Sequence, residues 1–157
     1  MAEVLVIGIG NEYARDDAAG LLVARALKAQ GWQRVKVLEQ SGEGAALIEA
    51  WQGSELVIVI DAARSGGAPG IIRRFDAGRE PLPAHSFRGS THAFGLYEAV
   101  EVSRSLNQLP RRLIVYAIDG TDFAPGIGLT PNVERAISVA VRVVDGEIRP
   151  AAGAEPP

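Results

Sequence analysis

The apolar positions of this 157-residue chain fall into two patterns, short unbroken runs and stretches at helical spacing. The runs at 4–9, 35–38, 56–60 and 113–118 are rich in Val, Ile and Leu. Such runs predict strands covered on both faces, as in a parallel sheet. Between them, apolar residues recur three and four apart: Leu21, Leu22, Ala26 and Leu27, then Leu47, Ile48 and Trp51, then Leu96 and Val100. That spacing predicts helices. The first helix follows Asp16, expected as its N-cap or first-turn anion, and ends near Gln30 before Gly31. A short helix is predicted over 45–51, and another from His92 to about Leu106, capped by Ser90 or Thr91. That helix would put His92 on its inward face, one turn before Leu96. Thr130 and Pro131 read as N-cap and first position of a last helix running to about Val144. Residues 71–75 predict a further strand on a sheet edge, and the Gly/Pro-rich stretches 62–70, 76–89 and 120–129 predict loops.

Strands alternating with helices predict a single α/β domain of three layers, a mostly parallel twisted sheet with helices on both faces. The domain is expected over 1–148, with 149–157, rich in Pro and Ala, as a disordered tail. Right-handed crossovers would align the strand exits at 11–17, Glu39, Asp61 and Asp119 along one edge, where open α/β sheets bind ligands.

Composition narrows the partners. A net charge of −3 without a basic block argues against nucleic acid. The absence of cysteine removes disulfides, thiolate nucleophiles and zinc ribbons. No apolar run reaches the length of a membrane span, and no charged leader precedes an apolar segment. The expectation is a cytoplasmic monomer.

The candidate chemistry sits at the predicted strand exits. Asp16 and Asp17 follow the turn Gly8-Ile9-Gly10-Asn11, Asp61 ends the strongest strand, and His92 opens a helix. Each has an ordinary explanation: carboxylates in a first helical turn stabilise it by ~0.3–1 kcal/mol, and an aspartate at a strand end caps a loop. Together, two carboxylates and a neutral imidazole suit a divalent transition metal such as nickel, zinc, manganese or iron. Competing motifs fail. Gly8-Ile9-Gly10 lacks the third glycine of a dinucleotide loop, since position 13 is Tyr. No Walker lysine and no His-Glu-x-x-His occur, Ser90 lacks a nucleophile-elbow context, and His85 sits among prolines.

With these residues in place, the chain resembles nickel–iron hydrogenase maturation endopeptidases over roughly 4–144. The resemblance rests on Gly8-Ile9-Gly10-Asn11-x4-Asp16-Asp17-x2-Gly20, on Ile60-Asp61-Ala62 with Pro69-Gly70, on Ser90-Thr91-His92-x2-Gly95-Leu96, and on Gly128-Leu129-Thr130-Pro131. It implies an enzyme that cuts a C-terminal extension from the hydrogenase large-subunit precursor after nickel insertion. By motif position, Asp17, Asp61 and His92 would be the catalytic, nickel-binding set. Asp16 and Asn11 would support them. The nickel would be supplied by the substrate, with other divalent metals such as zinc able to replace it in vitro. Many relatives carry Asp-Gly-Gly-Thr after strand two, where this chain has Glu39-Gln40-Ser41-Gly42. Glu39 keeps the charge on a longer arm and is a supporting candidate. Three alternatives stay open: a related hydrolase holding its own metal, a nickel-sensing chaperone that does not cut, and a nucleotide-binding protein.

Overall fold

The structure, a computed structural model, describes residues 3–87 and 92–153. Four parallel strands, β1 (Val4–Ile9), β2 (Val35–Gln40), β3 (Leu56–Ala63) and β5 (Arg112–Asp119), form the sheet with an antiparallel β4 (Ile72–Asp76). Their order is β2-β1-β3-β5-β4. The central strands are apolar over most of their length because both of their faces are covered, with Asp61 and Asp119 coming only toward the exits of β3 and β5. One face packs α1 (Ala19–Ala29) and α4 (Pro131–Ala152) through Val23, Leu27, Ala140 and Ile148. The other packs α2 (Gly44–Trp51) and α3 (Leu96–Ser105) through Leu47, Trp51, Ala99 and Val100. Each fully buried Leu or Ile in these layers contributes ~1.5–3 kcal/mol relative to exposure. The predicted single three-layer α/β domain is therefore what forms. Among the described residues, no helix is long and apolar enough to cross a membrane.

Four expectations need correction. The last helix does not stop near Val144, and 149–152 is not a disordered tail: α4 continues to Ala152 and ends at Gly153 in the left-handed conformation. Burial of Ile148 and Ala152 against the sheet sustains those turns although Pro150 removes one helical donor. The stretch 76–89 is not simply loop. Asp76 closes β4, and Ala84–Phe87 forms a 3-10 turn anchored by buried Leu82 and Phe87. α3 begins at Leu96 rather than His92, because Gly95 is its N-cap and Glu98 Oε1 accepts the Gly95 N–H at 2.8 Å. The expected caps Ser90 and Thr91 lie outside the described residues. Finally, Asp16 does not cap α1, which is preceded by a 3-10 turn over Arg15–Ala18.

Two glycines bring α1 onto the sheet. A side chain at Gly20 would collide with the Ile60 and Ile9 carbonyl oxygens, and one at Gly10 with the Asp17 carbonyl oxygen. Only bare backbone lets the turn after β1 fold back so tightly. That close approach sets the carboxyl-bearing turn against β3.

Candidate functional site

The parallel strands end along one edge, and the loops leaving them build a polar cleft. Its main body, about 440 Å³, is lined by the turn 10–14, Asp17, Arg25, Glu39, Gln40, Ser41, Arg64 and Phe123. A smaller cavity of about 50 Å³ adjoins it, lined by Asp17, Ser41, Asp61, Arg64, Ser86 and Phe87 among others.

The turn after β1 is built from the inside. Asn11 Oδ1 accepts the Tyr13 N–H at 2.9 Å, and the Ala14 N–H returns to the Asn11 carbonyl. Asn11 thus shapes the turn. Arg15 (φ 47°) then swings Asp16 inward. Asp16 is fully buried, and its carboxylate accepts the backbone N–H groups of Thr121 (2.9 Å), Asp122 (3.1 Å) and Thr130 (2.8 Å) and the Thr130 hydroxyl. Burial alone would raise its pKa. The four donors together outweigh burial and hold it below the ordinary value. The residue ties the turn to the loop after β5 and to the start of α4. The backbone reinforces this seam: Arg15 N–H donates to Gly126 O, Asp16 N–H to Asp122 O, and Gly126 N–H to Tyr13 O.

Asp17, one residue on, faces the cleft and has little such support. Burial raises its carboxyl above the ordinary value, against the Asn11 backbone N–H and the Arg64 charge. Asp61 lies within β3, opposite Ala117 of β5, rather than at the strand's end. Part of it faces the cavity, yet protein crowds the carboxyl. Burial pushes it well above the ordinary range, and the Asp17 charge pushes the same way, with the Ala62 N–H opposing. Both carboxyls therefore favour the protonated form more than an exposed aspartate does, Asp61 the more strongly.

His92 joins this cleft only from its rim. It sits ahead of α3 with Nε2 3.1 Å from Ser41 Oγ, and its charge bears on Glu43. Among the described residues, no three His, Cys, Asp or Glu side chains are grouped to hold a metal ion. The expected Asp17–Asp61–His92 triad is thus two carboxyls together and an imidazole tied to Ser41. His92 stands four residues ahead of α3, on the segment that carries it to Ser41. Glu39 also lines the cleft, but its carboxylate is engaged by Arg25 at 2.9 Å, and Arg25 reaches Glu12 at 3.4 Å. Asp119, at the exit of β5, is buried and paired with Arg73 at 2.9 Å.

Two cleft residues escaped the sequence reading. Arg64 follows Asp61 by three positions, and its guanidinium lies 4.0 Å from the centroid of Phe123. That contact holds a cation beside Asp17. Ser41, read only as a departure from the relatives' glycine, is the partner of His92. Neither carried a local signal, because both depend on which loops meet at the sheet edge.

Comparison with known proteins gives concordant matches. A family profile described as hydrogenase maturation protease (HycI) matches residues 21–147. Hydrogenase 2 maturation protease of Escherichia coli (strain K12) is 29% identical over 150 residues, covering 93% of this chain and 90% of that protein. Hydrogenase expression/formation protein HupD of Thiocapsa roseopersicina is 25% identical over 145 residues. It aligns with 90% of this chain, which spans 65% of HupD's own length. Among solved structures, the hydrogenase maturating endopeptidase HybD from E. coli superposes with a TM-score of 0.80 at 27% identity, covering 95% of this chain and 93% of that one.

Proposed function

The chain belongs to the hydrogenase maturation protease family, and on that footing we propose that it removes the C-terminal extension of a nickel–iron hydrogenase large-subunit precursor after nickel insertion. The observation that carries the chemical side of this reading is the coupled pair Asp17–Asp61 in a cleft at the sheet edge. Asp61, whose carboxyl burial and the Asp17 charge push well above the ordinary range, is suited to donate a proton to the leaving amide nitrogen. Asp17, nearer Arg64, is suited to take a proton from the attacking water. Water's oxygen adds to the scissile carbonyl carbon, the C–N bond breaks, and the two protons end on Asp17 and the released amine. The proton taken up by Asp17 then passes back to Asp61, which restores the starting state.

Nickel enters as part of the substrate. Asp17 would supply an oxygen donor and His92 a nitrogen donor from the rim for the metal seated in the precursor, and Asp61 would join them as an oxygen donor once its proton has passed to the leaving amine. Other divalent ions such as zinc could occupy the same donors in vitro. Asp16 and Asn11 hold the turn, and Glu39 acts through Arg25 on the cleft wall.

The test is mass spectrometry of a large-subunit precursor, nickel-loaded or nickel-free, before and after incubation. Release of a C-terminal peptide from the loaded form alone is expected. Equal release from both forms would overturn nickel recognition. Stable binding without release would overturn the peptidase and leave a sensing chaperone.

A further inference from the structure

β2 is the outermost strand of the sheet on one side. Two bonds fix which of its backbone groups are used. Val4 N–H donates to the Arg34 carbonyl at 2.9 Å, and Gly10 N–H to the Gln40 carbonyl at 3.0 Å. Backbone groups of a strand point alternately to either side. Lys36, Leu38 and Gln40 therefore turn their N–H and C=O groups toward β1. Val35, Val37 and Glu39 turn theirs outward, three donors and three acceptors in a row. Among the described residues, no hydrogen bond reaches these outward groups.

The strand also leads somewhere. Its last residues, Glu39 and Gln40, and the next, Ser41, line the cleft that holds Asp17. The opposite edge differs. β4 runs antiparallel, none of its residues lines the cleft, and its Arg73 and Arg74 are committed to Asp119 and Glu147.

We infer that the outer edge of β2 is the substrate track: an extended segment of the precursor, flanking the scissile bond, adds there as a sixth strand. This rests on the peptidase reading above and specifies how the polypeptide is held. A peptide bond must be drawn out of its own secondary structure before it can be cut. Pairing with an open strand edge satisfies the backbone groups thus exposed, whatever the side chains. The track delivers the chain to the Ser41 end of the cleft.

The experiment is amide hydrogen exchange on the Asp61→Asn protein, alone and bound to the nickel-loaded precursor, with wild-type cleavage measured in parallel. In the free protein, Val35, Val37 and Glu39 amides exchange fast, while Lys36, Leu38 and Gln40 are protected. In the complex, the first three slow by roughly tenfold or more. A bound precursor that leaves these three unchanged overturns the inference and leaves the peptidase reading standing. A precursor that wild type never cuts overturns the peptidase reading, and the track falls with it. As a second arm, Val37→Pro deletes one outward donor and no bond to β1, a change tolerated on an edge strand. A KM raised roughly fivefold with kcat retained is expected. An unaltered KM in a folded Val37→Pro protein counts against the track.

Discussion

Asp16 and Asp17 are consecutive residues in opposite circumstances. Asp16 is sealed from solvent and saturated with donors from Thr121, Asp122 and Thr130. Asp17 looks into the cleft toward another acid and is raised rather than lowered. Burial acts on both, so burial does not separate a structural carboxylate from a reactive one. The number of donors aimed at the ionised form does. A site that must move protons keeps its carboxyls short of donors, and a site that must hold two loops together saturates them.

The contrast is open to direct attack, beginning with the largest effect. Asp61→Asn should lower precursor cleavage by about 10²–10⁴-fold while the protein stays folded, read from kcat/KM beside a melting curve. If activity persists, the reactive half of the comparison collapses. Asp16→Ala should do the reverse to stability. Orphaning buried donors costs ~1–3 kcal/mol each, so a loss of about 3 kcal/mol or more is expected in denaturant unfolding. A midpoint within error of wild type would show that Asp16 ties nothing together.

A smaller but sharper effect is the pH dependence of stability. Asp16, with its folded-state pKa lowered, contributes stability that is present above its unfolded value of about 4 and lost as pH falls through the folded value. Asp61, with its folded-state pKa raised, does the opposite. Its contribution is present below about pH 4 and is lost as pH rises through the folded value. Asp16→Asn should therefore flatten the acid limb of the stability curve, and Asp61→Asn should lift the neutral limb. Curves that shift in parallel would erase the distinction.

How far these features were legible in the chain follows from their range. Val4–Ile9 and the 56–60 part of β3 were readable because a strand covered on both faces is apolar along its run; the last residues of β3, from Asp61 to Ala63, were not. The pairing of Asp17 with Asp61 was readable because parallel strands deliver their exits to one edge. The bond between His92 and Ser41 was not. It depends on α3 starting at Leu96, and that start depends on Glu98 reaching back to Gly95 rather than on periodicity. The socket of Asp16 was hidden for a related reason. Three of its four donors are backbone groups, which any sequence would supply, and all of them lie 105 to 114 residues away.

That separation has a consequence for the making of the protein. Translation proceeds at ≈ 5–20 residues per second, so the seam at Asp16 waits on the order of ten seconds for Thr130 to be synthesised. Until then the turn after β1 lacks the donors that hold Asp16. The N-terminal half can collapse on its own strands earlier, but without this seam. The seam that fixes the turn after β1 is thus closed by residues synthesised long after that turn, so the cleft takes its final form late in the making of the chain.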